Sequence, residues 1–327
     1  MTPDPSRRTL LAGLASAPLA GLARPALAQA AYPSRPVRVV VPFGAGGVAD
    51  ITVRLVADKV GARLDGRFVI ENMPSAGGVL AGRTVATSDP DGHTLILFTN
   101  GTAVSVGLFN RLPFDPVAFA PISTLGTFDF LFAANKASGI DGIKTLLARA
   151  KEKPGSINVA TVTVGSTQHL ASVLFNELSG AGLVHVPFRN TPEAVTALIR
   201  QDVHIVIDSL ASMKSGFEGG EIRAIAASGA RRSSFLPDVP TVQESGVPGY
   251  DVTSWNALFA PKGTPPAVVT RLAETTRAVL ALPDVKARMA DLGIEATPET
   301  PEALGERLRA DIARWRGVID GAGIPKQ

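Results

Sequence analysis

The chain has 327 residues, no cysteine, 32 Lys and Arg against 29 Asp and Glu, and 6% aromatic residues. The missing cysteines exclude disulfides, a lipid anchor on cysteine, thiol catalysis and cysteine-based zinc or iron–sulfur sites. The near balance of charge, with no Lys/Arg run interleaved with aromatics, speaks against nucleic acid as a partner, and abundant Val, Ala, Leu and Gly suit α/β packing better than a β-sandwich.

Arg7-Arg8 precede an uncharged segment, Leu10 to Ala23, that is too short to span a bilayer. Ala26-Leu27-Ala28 then offers the small residues that a signal peptidase reads. The expectation is an export signal over residues 1–28, with cleavage after Ala28 or after Ala30. Ser6-Arg7-Arg8-Thr9-Leu10-Leu11 resembles a twin-arginine signal, yet Asp4 and the lack of a downstream Lys leave the general secretory route equally open. Arg7, Arg8 and Arg24 against Asp4 account for two of the chain's three net positive charges, so the basic balance partly belongs to the signal. No later apolar run is long enough to cross a membrane. What remains is sized for two ordinary domains in the periplasm.

Val37 to Val41 is a short β-branched run that predicts a buried strand. Gly44, Gly46 and Gly47 follow, and then apolar residues at helical spacing from Val48 to Leu64. Strand, glycine turn and helix N-terminus together form an anion site: free N–H groups point outward, the helix dipole adds partial positive charge, and glycine lets a ligand approach. Phe68–Glu71 and Thr94–Phe98 read as further strands, with a short helix from Val79 to Ala86 between them. This β-α-β-α-β order implies a parallel sheet with its loops gathered at the strands' C-terminal ends.

Phe119 to Ala134 reads as extended and apolar, and Ile140–Lys151 as a helix. A second strand–loop–helix unit follows, with a strand at Ile157–Ala160, a Gly/Ser/Thr loop from Thr161 to Thr167 and a helix through Leu178. Val184–Pro187 and Val203–Asp208 read as strands around a helix capped by Thr191 with Pro192 at its first position. Tyr250 to Ala260 is again extended, and three helices near 266–282, 284–292 and 301–319 finish the chain. The economical arrangement is two α/β lobes, 31–128 with 253–327 and 129–252, joined by two crossing strands. Each lobe then presents a helix N-terminus to the cleft.

Tyr32-Pro33-Ser34-Arg35-Pro36-Val37, Pro42-Phe43-x-Ala45-Gly46-Gly47-x-x-Asp50, Pro90-Asp91-Gly92-His93-Thr94-Leu95, His185-Val186-Pro187-Phe188-Arg189, Leu236-Pro237-Asp238-Val239-Pro240-Thr241 and Phe259-Ala260-Pro261-Lys262-Gly263-Thr264-Pro265 occur in that order. Together they resemble the tripartite tricarboxylate transporter substrate-binding proteins, or Bug family, over essentially the whole mature chain. The resemblance implies a type II periplasmic binding protein, a two-lobe Venus flytrap of α/β class. It further implies closure on a small carboxylate, delivery to integral membrane permease subunits, a monomer, and neither cofactor nor catalysis. By position it assigns ligand contacts to Phe43, Ala45, Gly46, Gly47 and Asp50 in the first lobe. In the second it assigns them to Thr161, Gly165, Ser166, Thr167, His169 and Asp208. Gly44, Ala49 and Thr163 depart from the family's usual Pro, Thr and Gly, which bears on ligand identity.

Two other readings share these residues. Gly44-x-Gly46-x-x-Ala49 after a strand, with Glu71 ending the next one, also satisfies a dinucleotide fingerprint and would make the chain an NAD(P)-dependent oxidoreductase. Against it stand the export signal, Pro42 inside the tight turn, and Asp50 where a pyrophosphate would lie. An exported co-sensor for a signalling kinase would use the same binding chemistry. His93, His169, His185 and His204 lack metal-ligand spacing, so no metal is expected, and Ser166 lacks a nucleophile-elbow context. Asp50 can equally be structural, Asp208 can cap the helix starting near Ser209, and Trp255 reads as core. Arg189, the one cation near a predicted cleft loop, reads as a solvated surface group.

Overall fold

The computed structural model describes residues 32–321 and 323–327, and the expected export signal lies outside them. The first half comprises β1 (Val37–Val41), α1 (Val48–Arg63), β2 (Phe68–Asn72), α2 (Val79–Ala86), β3 (Thr94–Thr99) and α3 (Asn100–Leu108). The long β4 (Ala120–Asn135) leads to α4 (Ile143–Glu152), β5 (Asn158–Val162), α5 (Thr167–Ser179), β6 (Val184–Phe188), α6 (Thr191–Ile199), β7 (Ile205–Ser209), α7 (Leu210–Glu218) and β8 (Ile222–Ala227). Then β9 (Thr253–Ala260) precedes α8 (Pro266–Leu280), α9 (Pro283–Ala290) and α10 (Pro301–Gly321). Among the described residues no helix is long and apolar enough to cross a membrane.

The same design appears twice. β1 lies between β2 and β3, parallel to both, and β5 lies between β6 and β7, again parallel to both. Val39, Val40 and Val41 are all fully buried although successive residues point to opposite faces, so both faces of β1 are covered. That burial is what a continuous Val run encodes. Two antiparallel strands join the units, giving the order β2-β1-β3-β9-β4-β7-β5-β6. Along β4, Ala120–Asp129 pair with β9, whereas Phe130–Ala134 pair with β7 and Leu131–Asn135 with β8. The strand therefore passes from one unit to the other between Asp129 and Phe130, and β9 begins level with that point, Thr253 facing Asp129. These are the two expected crossing strands of the two-lobe architecture.

Aromatic clusters fill each side. Phe98 packs on Phe119 and Phe259 with centroids 5.0 and 4.8 Å apart. Phe132 packs on Phe175 and Tyr250 at 5.1 and 5.8 Å, and the buried Tyr250 hydroxyl donates to the Ala171 carbonyl. α10 returns to the first unit against α3, where the buried Trp315 Nε1 donates to Asn100 Oδ1 at 2.7 Å.

Two elements differ from the sequence expectation. No helix was read directly after the Thr94–Phe98 strand, yet Asn100-Gly101-Thr102 opens α3. Thr99 accepts from the Gly101 N–H while Thr102 accepts from the Thr99 N–H, a reciprocal capping arrangement. The helix is buried along almost its whole length, so tertiary packing overrides its turn-forming start. β8 was not anticipated either; its alanines carry little strand preference, and it forms because it completes the side of β4 left open beyond β9.

Candidate functional site

The glycine loop before α1 and the loop before α5 face each other across a cleft of about 430 Å³. Phe43, Gly44 and the start of α1 line one side, and Val162, Thr163, Thr167 and Gln168 line the other. The N-caps of α3 and α6, Thr99 and Asn190, complete the wall, so four helix N-termini converge where two were expected. Gly47 caps α1 without any side-chain bond, leaving first-turn N–H groups open to the cleft. Phe128 and Phe130, on one face of β4 with rings 5.5 Å apart, supply an apolar floor. A smaller chamber of about 220 Å³, lined by Gly77, Gly78, Gly101 and Val164–Ser166, adjoins it behind Phe43 and Thr163.

The halves touch directly around this space. The Gly77 N–H donates to the Val164 carbonyl at 3.0 Å, and Ser105 Oγ donates to the Gly165 carbonyl at 3.2 Å. A Cβ on Gly44 would stand 2.9 Å from the Arg189 carbonyl and from Asn190 Cβ. One on Gly101 would stand 3.1 Å from the Thr167 nitrogen. Glycine at these points permits the close approach.

Of the residues singled out from the sequence, Phe43, Gly47 and Thr167 line the main cleft, and Phe43, Gly165 and Ser166 line the adjoining chamber. Ser166 is also the N-cap of α5, its Oγ accepting from the His169 N–H at 3.1 Å. Ala45, Gly46, Asp50, Thr161, His169 and Asp208 line neither space. Gly46 takes φ +83° and its N–H donates to Asp50 Oδ2 at 3.0 Å. Asp50 also accepts from Arg54 Nε and Asn72 Nδ2. Burial opposes its ionisation, but those donors outweigh burial and hold the carboxyl below the usual carboxylate range. Its role in the structure is to brace the glycine loop. The Gly46 N–H that a pyrophosphate would use is thereby taken.

Asp208 lies behind the wall, fully buried, accepting from Thr191 Oγ1 at 2.6 Å and from the Ser209 N–H at 2.7 Å. Burial pushes its carboxyl upward against those donors. It fixes Thr191, which does line the cleft. His169 turns away from the cleft onto His185, ring centroids 5.7 Å apart, and burial followed by its neighbour's charge draws it down to about 4. Thr161 is buried with its Oγ1 unpartnered among the described residues.

Sequence reasoning did not assign Thr99, Phe128, Phe130, Gln168, Asn190, Thr191 or Ser254 to the cleft. Asn190-Thr191-Pro192 carried the signal, since the helix-start chemistry that flagged Ser166 applies there equally. Thr99 was hidden with α3. Arg189, expected to be a solvated surface residue, is exposed yet stands among the cleft-lining residues.

Comparison with known proteins identifies the family. Residues 52–324 match the profile of the "Tripartite tricarboxylate transporter family receptor". The protein BugT of Bordetella pertussis is 31% identical over 307 residues, covering 93% of this chain and 94% of its own. The structure of Rhodopseudomonas palustris Rpa4515 with adipate superposes with TM-score 0.86 at 32% identity, over 90% of this chain and 100% of that one. MatC from the same organism, with bound malate, superposes with TM-score 0.84 at 33% identity, over 88% and 100%. With its two-lobe α/β fold and this family match along most of its length, the chain belongs to the tripartite tricarboxylate transporter receptor family, the Bug-type extracytoplasmic solute-binding proteins.

Proposed function

We propose that this receptor closes on a small carboxylate between lobes 31–128 with 253–327 and 129–252, and hands it as a monomer to integral membrane permease subunits from the periplasm. The observation that carries the reading is the convergence of four helix N-termini on a cleft lined, among the described residues, by one ionisable residue. Each helix end contributes about 0.3–1 kcal/mol toward an anion, and each charge-assisted hydrogen bond about 1.5–3 kcal/mol. Four such bonds offset an association penalty of several kcal/mol and leave roughly micromolar affinity. Ligand favours closure because only the closed form presents both sets of donors. Relatives solved with adipate and with malate support an acid of that size. The matched family is one of solute-binding receptors, not of enzymes.

Thermal-shift and calorimetric titration of the protein lacking its export signal, with malate, adipate, citrate and NAD(P)H, test the proposal. At least one acid should raise the melting temperature by several degrees at a hundredfold excess over its Kd, which corresponds to about 2.7 kcal/mol. Stabilisation by NAD(P)H with turnover, or no response to any small acid, would overturn it.

A further inference from the structure

Two side chains of the cleft wall, Thr191 and Gln168, direct their donors behind the wall rather than into the cleft. Thr191 Oγ1 donates to Asp208 Oδ2 at 2.6 Å, and Gln168 Nε2 donates to Asp208 Oδ1 at 3.4 Å. Oδ1 also accepts the Ser209 N–H at 2.7 Å. The N–H groups on Oδ1 can only donate and an ionised carboxylate can only accept, so the single proton of the Thr191 hydroxyl is fixed on Asp208. What Thr191 has left for the cleft is a lone pair, and what Gln168 has left is its amide oxygen. Neither oxygen enters another hydrogen bond among the described residues. Thr191 also stands against the other half of the molecule: a Cβ on Gly47, the N-cap of α1, would lie 3.6 Å from its Oγ1. The open N–H groups of α1 and this acceptor thus border the same space from opposite sides.

Donors on one wall and an acceptor on the other impose a polarity on whatever is enclosed. A carboxylate satisfies the helix ends, but a carboxylate oxygen set against Thr191 Oγ1 would bring lone pair onto lone pair. A methylene there would leave the buried oxygen unpaired, and a site built around a hydrogen bond discriminates strongly against the analogue that cannot make it. A ligand O–H or N–H completes the arrangement. Of the acids held by the two solved relatives, malate carries such a hydroxyl and adipate does not, so the family match leaves this choice open.

We propose that Asp208 is a positioning residue that, through Thr191, makes the cleft select an acid carrying a hydrogen-bond donor, a hydroxyl or an ammonium, on its carbon chain. This inference rests on the carboxylate reading above. It is tested calorimetrically with succinate, malate and aspartate, and with adipate, 2-hydroxyadipate and 2-aminoadipate, on the wild type, Thr191→Ser, Thr191→Val and Asp208→Asn. Burial raises the Asp208 carboxyl, so the titrations are run at about pH 8, the side that favours its charged form. In at least one set the wild type should bind a donor-bearing acid about tenfold or more tighter than the unsubstituted parent, and the hydroxy and amino arms tell which donor is read. Thr191→Ser retains the hydroxyl and should retain the ratio, whereas Thr191→Val should bring it close to one. Asp208→Asn keeps an oxygen for Ser209 and Gln168 but presents an N–H to Thr191, which turns the hydroxyl proton toward the cleft. The parent acid should then gain on the donor-bearing one, and the ratio should drop about tenfold or more. The readout is a ratio of two ligands on one folded protein, so a loss of stability does not mimic it; if Asp208→Asn fails to fold, the two Thr191 variants decide. A ratio near one in the wild type, an unchanged ratio in Thr191→Val, or equal weakening of both acids in Asp208→Asn overturns this inference and leaves the carboxylate reading standing. If no acid binds the wild type, both fail together.

Discussion

At Gly44 a methyl group would collide with atoms of the other half of the molecule, the Arg189 carbonyl and Asn190 Cβ. Gly44 does not need a positive φ, unlike Gly46, so Gly44→Ala carries steric bulk into the interface without straining its own loop. Ligand affinity should fall about tenfold or more while the unliganded melting temperature barely moves, since the collision exists only when the halves meet; calorimetry beside thermal melting checks both. Two half-buried groups give the stability opposite slopes with pH. His169 is drawn down to about 4 by burial and then by His185, so the unfolded chain binds more protons between about 6.5 and 4, and stability is lost as pH falls through that window. Asp129 is pushed up to about 6 by burial and by Asp251, so the folded chain binds more protons between about 3.8 and 6, and stability is lost as pH rises through it. Denaturant unfolding at pH 7 and pH 4 should therefore show Asp129→Asn stabilising at pH 7 by about 1–3 kcal/mol, with the gain gone at pH 4. His169→Phe should flatten the acid-side loss.

The elements anchored by a strong local signal were legible in the chain. Five consecutive residues of β1 carry four valines, three glycines mark the turn, and the paired design of β1–α1 and β5–α5 follows from those patterns. α3 was not legible, because Asn100, Gly101 and Thr102 are turn formers whose helical state is imposed by burial and by α10. With α3 went Thr99, and so the third helix end of the cleft. The candidate site was half legible for a related reason: sequence position tells which residues sit on a loop, but not whether a side chain there braces the loop, as Asp50 does, or faces the cavity, as Thr167 does. Asn100 shows how far apart the determinants lie. Its Oδ1 accepts from Trp315 on α10, and its Nδ2 donates to the Thr253 carbonyl at the start of β9. Trp315→Ala should cost about 3–5 kcal/mol through the cavity it leaves. Trp315→Phe, which leaves Asn100 Oδ1 unpaired, should cost about 1–3 kcal/mol by denaturant titration.

Across the whole molecule, the halves join through β4 and the segment entering β9, and meet again where the Gly77 N–H donates to the Val164 carbonyl and Ser105 Oγ donates to the Gly165 carbonyl. Small-angle scattering should record a smaller radius of gyration with bound acid than without it, and Gly44→Ala should hold the larger value under both conditions. The crossing of β4 between Asp129 and Phe130 has a mechanical corollary. Phe128 and Phe130, flanking that joint, are also the apolar floor beneath the ligand. The axle of the jaw is thus the surface on which the bait rests, and flexing the one reshapes the other. Trimming Phe130 to leucine should accordingly shift the resting angle of the empty jaw, and not merely the grip on what it holds.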